Sequence, residues 1–127
     1  MRYPGISPYV GHLGIQLTGM RPDEATLRLP FSDSLITIGT TVHGGAIASL
    51  IDTAAMVAAW SDDSVPDSMR GTTVSLTVTY LAPAEHEDIQ ATARVLQRGR
   101  SLVYLDVEVQ SISGKSIARG LVTYKLG

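Results

Sequence analysis

Apolar and small residues run almost unbroken from Gly44 to Trp60, and no other stretch of the chain lacks a regular polar face. A helix that is apolar all round is one enclosed on all sides, so this run predicts a buried central helix, with Thr41 as its N-cap. Elsewhere the pattern alternates. Ile15 and Leu17, then Leu27 and Leu29, stand between polar neighbours over 14–18 and 25–30, with Arg21-Pro22-Asp23 as the turn, which predicts a first hairpin. The segment 31–41 is a Ser/Thr/Gly-rich connection to the helix, and 61–68 is a polar loop stopped by Pro66. Val74, Leu76, Val78 and Tyr80 then alternate with Thr73, Ser75, Thr77 and Thr79, residue types that favour strands. Ala82-Pro83-Ala84 breaks that strand. Three more are predicted at about 88–97, 102–112 and Ser116–Leu126, turned by Arg98-Gly99 and Ser113-Gly114.

Two strands, a long helix and a four-strand meander predict one antiparallel sheet of about six strands curled around a single helix, an α+β fold. The helix needs cover and the sheet needs something to cover. At 127 residues the chain suits one domain, 1–127, with 1–12 as an N-terminal arm or short helix. A net charge of -2 with interspersed signs leaves no footprint for nucleic acid. The absence of cysteine excludes disulfides, thiolate metal sites and a cysteine nucleophile. The first residues lack the apolar core of a signal peptide, so a cytoplasmic protein is expected. The helical run carries Asp52 and is at or below the lower limit of about 17 to 25 residues for a membrane span, so no membrane role is expected. His12, His43 and His86 are scattered without zinc-ligand spacing, and Asp62, Asp63 and Asp67 lack the glycine and glutamate of a calcium loop.

Within the apolar run Asp52 is out of place, because burying an isolated charge is costly and the carboxylate must be paired, hydrogen-bonded or neutralised. At the other end, Gly44 and Gly45 open the helix without side chains, where backbone N–H groups have no intrahelical acceptor. With His43 beside them, those N–H groups can polarise a carbonyl and stabilise the charge that develops on its oxygen. Two plainer readings stand next to these: glycines for close packing with a capping histidine, and a carboxylate satisfied by backbone or hydroxyl groups. Spacing decides how the two groups could cooperate. Nine residues along a helix is a rise of about 13 Å and roughly half a turn of rotation, so one chain does not bring His43 and Asp52 to the same atom. If they act together, the aspartate comes from a second copy, with two helices antiparallel about a twofold axis.

The run His43-Gly44-Gly45 followed by Asp52 resembles the PaaI-like branch of the hotdog-fold acyl-CoA thioesterases. The resemblance extends over roughly 10–126, through Val74 to Tyr80 with Leu81-Ala82-Pro83-Ala84, the turn Gln97-Arg98-Gly99-Arg100-Ser101, and the closing strand Gly120 to Leu126. It implies a hotdog fold, protomers that join their sheets into a dimer or dimer of dimers, and an active site at the dimer interface. Carried over, Gly44 N–H polarises the thioester carbonyl, His43 and Gly45 help hold it, and the partner's Asp52 serves as general base or nucleophile. Thr73 matches the position of a hydroxyl that places the water. No metal or redox cofactor is implied, coenzyme A being part of the substrate. Arg98, Gly99, Arg100 and Ser101 form a basic turn that could meet the CoA phosphates, with a solvated turn as the plain alternative. Met56 and Trp60, one helical turn apart, line an acyl pocket or pack the core. Thr37 stands where relatives often carry asparagine, six residues before the histidine, and the loop glycine is displaced to Gly39. That departure keeps a non-catalytic acyl-CoA binding module as the second reading, while the placing of Asp52 on the helix speaks against a hotdog hydratase.

Overall fold

The computed structural model describes residues 7–62 and 70–127. The first part of the arm, 1–6, and the loop 63–69, with Pro66, Asp63 and Asp67, lie outside the described residues. A short helix, α1 (Pro8–Leu13), precedes the hairpin β1 (Gln16–Arg21) and β2 (Glu24–Leu29). Pro22 and Asp23 make its turn, and Asp23 takes the left-handed backbone that such a turn requires, at φ 66°. Then come a 3-10 turn (Asp33–Leu35), two short strands β3 (Ile36–Ile38) and β4 (Thr41–Val42), the long helix α2 (Gly44–Trp60), and four strands: β5 (Gly71–Tyr80), β6 (Ile89–Arg98), β7 (Leu102–Ser111) and β8 (Ser116–Leu126).

Six strands form one antiparallel sheet in the order β1-β2-β6-β7-β8-β5. This is the sheet-and-helix architecture expected, with one difference in strand order. The last four strands are not a continuous meander: only β6, β7 and β8 follow one another, while β5 lies on the far edge beside β8 and β6 returns to pair with β2. The cause is the helix. It carries the chain from β2 across the sheet, so the next strand starts at the opposite edge and the segment 81–88 brings the chain back.

Alternate residues of β2, β6, β7 and β8 meet α2, and Leu27, Leu29, Ala91, Val103, Leu105, Val107 and Val122 are buried there with Leu50, Ile51 and Val57. Gly120 lets the helix lie close, since a Cβ at that position would fall 2.6 Å from Ile51 Cγ2. Two further expectations are corrected here. The N-cap of α2 is His43, not Thr41, because Thr41 and Val42 are held in pairing with β3 and the helix starts two residues later. Nor is α2 enclosed all round: Gly45 is exposed and Ser49, Asp52 and Met56 are half-buried, a stripe at three- and four-residue spacing that the sheet covers only in part. Among the described residues no helix is long and apolar enough to cross a membrane.

Candidate active site

The start of α2 is fixed from three sides. His43 N–H donates to Leu35 O at 2.7 Å, tying the cap to the 3-10 turn. The His43 ring folds back so that Nδ1 accepts the Gly45 N–H at 2.8 Å, which satisfies one of the free donors of the first turn. With Nδ1 used as an acceptor, the proton of the neutral ring sits on Nε2. Tyr80, at the end of β5, donates its hydroxyl to Gly44 O at 2.6 Å, and its ring covers Gly44 so closely that a Cβ there would lie 3.3 Å from Cζ. Among the described residues nothing accepts from the Gly44 N–H. Gly44 lines a cleft of about 370 Å³ with Tyr80 and Thr37, the exposed Thr37 lying on β3. His43 and Gly45 line a second cleft, of about 290 Å³.

Asp52 lies two turns further along the half-open stripe. Thr73 Oγ1 donates to its Oδ1 at 2.6 Å, while Oδ2 has no partner among the described residues. A β-bulge between Thr73 and Ser75 turns this part of β5, so that Thr73 faces the helix from an edge strand. The carboxylate is therefore oriented by one side-chain hydrogen bond, from the neighbouring edge strand. Asp52 and Thr73 line a cavity of about 490 Å³ with Ser49, Met56, Gly71 and Tyr124. Trp60 stands behind that cavity, its indole N–H donating to the Tyr124 hydroxyl at 3.1 Å.

The basic turn is divided. Arg98 donates to Asp23 Oδ1 at 2.7 Å and to Ala59 O at 3.0 Å, and pairs with Asp62 at 3.2 Å. Its guanidinium thus lies at the C-terminal end of α2, where a cation complements the helix dipole, and it ties that end to the β1–β2 turn. Gly99 and Ser101 close the turn through Gly99 N–H to Leu102 O and Leu126 N–H to Ser101 O, both 2.8 Å, and Arg100 is exposed. Within one chain, then, Asp52, Thr73 and Met56 come together, His43, Gly44, Gly45 and Thr37 gather at the helix start, and the 98–101 turn is at neither place. Three contributors escaped the sequence reading. Tyr80 and Tyr124 carry no signal beyond strand alternation, and Ser49 was hidden among small helix residues, although Ser49, Asp52 and Met56 mark one helix face by spacing alone.

A sheet wrapped on one long helix in this way is the hotdog fold, and the match of the chain to its relatives places it in the thioester-hydrolysing class of that fold. Residues 39–118 match the thioesterase superfamily, and the chain belongs to that family. Human acyl-coenzyme A thioesterase 13 is 31% identical to it over 116 residues, covering 89% of this chain and 80% of that protein. The medium/long-chain acyl-CoA thioesterase YigI of Escherichia coli is 28% identical over 135 residues, covering 94% and 86%. Protein PA5202 from Pseudomonas aeruginosa has the same fold at a TM-score of 0.88 and 27% identity, over 96% of this chain and 95% of that one.

Proposed function

We propose that the chain hydrolyses an acyl-CoA thioester to the free acid and CoA, in a site made by two copies of the chain. The observation that carries this reading is the presence on one helix of a Gly44 N–H and an Asp52 Oδ2 that both lack a partner among the described residues, Gly44 and Asp52 each being only half-buried. Eight residues of helix separate them, a rise of about 12 Å, so the carbonyl held at one Gly44 is attacked under the Asp52 of the other copy. The long edge strand β5 supports such an assembly. It is ten residues long, has one side unpaired among the described residues, and exposes Val74 by 57% and Leu76 by 38%, features of a strand that is covered by a partner. The relatives named acyl-CoA thioesterases support the substrate class.

In this mechanism the thioester oxygen rests against Gly44 N–H, and His43 holds the helix start in place through its bond from Gly45 N–H. Asp52 takes a proton from water as the water oxygen bonds to the carbonyl carbon, and the developing oxyanion is stabilised by the helix N-terminus. Collapse of the tetrahedral intermediate breaks the carbon–sulfur bond. The proton held by Asp52 passes to sulfur, giving RCOOH and CoASH from RCO–SCoA and water. Thr73 keeps the carboxylate turned toward the water.

The test is CoA release from a panel of aromatic and aliphatic acyl-CoAs, by the native chain and by Asp52→Asn. Turnover that drops in the variant by about a hundredfold or more is expected for loss of a general base. Acyl-CoA binding without release by the native chain on every substrate would sink the hydrolase reading in favour of a binding module.

A further inference from the structure

The cavity beside Asp52 holds a donor that this chemistry does not use. Tyr124 lies directly opposite Thr73 in the β5–β8 register, on the sheet face toward α2, and is only 4% exposed. Its oxygen accepts the Trp60 indole N–H, but a phenol also has one proton to give, and among the described residues no atom accepts it. Of the other hydroxyls around the cavity, Ser49, Thr53 and Thr73 are already engaged as donors, to Gly45 O, Ser49 O and Asp52 in turn, while Ser7 and Thr72 are exposed, which leaves Tyr124 as the buried donor without an acceptor among the described residues. Room for the phenol is built in. Gly71 also lines the cavity, and a Cβ there would fall 2.6 Å from the Tyr124 Cζ and overlap its hydroxyl, so a side chain at 71 would displace the ring. Burial pushes the phenol pKa above its ordinary value, the Trp60 bond opposes this with a smaller effect, and the Asp52 charge adds the smallest upward push. The group stays protonated, and so remains a donor, through neutral and mildly basic pH.

A buried donor left without an acceptor is unfavourable until a ligand or a water meets it. We propose that Tyr124 is the specificity-determining donor of the acyl cavity, and that the preferred acyl group carries a hydroxyl or keto oxygen placed to accept from it. An unsubstituted acyl chain of the same shape leaves the phenol unmatched and is disfavoured, by the rule that a site built to hydrogen-bond an oxygen rejects the analogue lacking it. The inference rests on the thioesterase reading only in taking an acyl group as the occupant of the cavity.

Its test is binding, which does not depend on turnover. Ketone analogues of acyl-CoA, with a methylene in place of the thioester sulfur, are compared by calorimetry as matched sets: a plain six-carbon or benzoyl group, and the same groups bearing one hydroxyl at each successive carbon. At least one hydroxylated member is expected to bind about tenfold or more tightly than its plain counterpart. Tyr124→Phe, which removes only the oxygen, is expected to bring that ratio to within about twofold by weakening the hydroxylated member. The native ratio can be read without any variant. If no hydroxylated member gains more than about twofold in the native chain, or the preference survives in Tyr124→Phe, the inference is overturned. Failure of the hydrolase reading looks different: CoA release is absent from ordinary thioesters while the binding preference stands. No binding by any analogue overturns both.

Discussion

At the scale of single residues, the proposed chemistry depends on a carboxylate held by a single hydroxyl among the described residues. Asp52 could have been a buried charge matched by an arginine, and its catalytic capacity would then have been taken up by the ion pair. It meets instead one neutral hydroxyl, Thr73 Oγ1 at 2.6 Å, which fixes its orientation and leaves Oδ2 open to the cavity. A hydrogen bond to a charged group is worth about 1.5–3 kcal/mol. Thr73→Val, which keeps the shape and removes the donor, is accordingly expected to lower kcat by about tenfold or more with a smaller effect on KM, while Thr73→Ser restores most of the rate. Steady-state kinetics on one good substrate check this; a valine variant that keeps its full kcat would remove Thr73 from the mechanism. That Asp52 needed a partner was legible in the sequence, because a lone acid in an apolar run has to be satisfied. Which hydroxyl satisfies it follows from the bulge at Thr73/Ser75, a backbone irregularity with no reliable signature in a run of alternating threonines.

The helix start is organised at the scale of elements. His43 has an extended backbone, φ -59° and ψ 133°, and Gly44 is the first helical residue. Proline is tolerated at that position, and the residue before a proline prefers such an extended backbone. Gly44→Pro therefore removes the N–H while asking little of the fold, apart from a shift of the exposed Tyr80 ring that now lies over Gly44. Loss of one oxyanion donor predicts a fall in kcat of about 10²–10³ with the melting temperature nearly unchanged, which kinetics and thermal unfolding read side by side. The loop leading to this cap is tied to the sheet by Asp88, which accepts from Phe31 N–H at 2.7 Å and from Arg28 at 2.6 Å. Those bonds, the Phe31 N–H first, lower the Asp88 pKa below the ordinary carboxylate value. A depressed folded-state pKa means stability that is present above the unfolded value and lost as pH falls through the folded one. Asp88→Asn is thus expected to cost about 1–2 kcal/mol at pH 7, with the gap to the native chain closing as pH drops below about 4. Urea melts at pH 7 and pH 3 measure both ends; an equal gap at the two would contradict the assignment. Element types were legible because period 2 and a continuous apolar run are strong signals. Strand order was not: the place of β5 beside β8 depends on where the helix delivers the chain. The helix cap slipped by two residues because the short pairing of Thr41 and Val42 with β3 competes with capping.

At the scale of the whole molecule, the proposed site is one that a single chain does not complete, because of the long helix that fills the sheet. Asp52 and Gly44 share a helix and stand about two turns apart, so only a second helix running the other way sets one against the other. The same argument could be made from sequence spacing, since rise per residue needs no coordinates. What spacing alone did not show is that the helix keeps a half-open stripe at Ser49, Asp52 and Met56 and that, among the described residues, β5 leaves its outer edge unpaired. The direct measurement is subunit complementation. Asp52→Asn and Gly44→Pro chains are each assayed alone, then mixed, dissociated and reassociated. A shared site predicts that both parents are nearly inactive and that the mixture recovers about a quarter of native activity, because half of the dimers are hybrid and each hybrid has one intact site of two. A mixture that stays as inactive as its parents, while light scattering shows that hybrids have formed, would place Gly44 and Asp52 of one chain in one site and contradict the account.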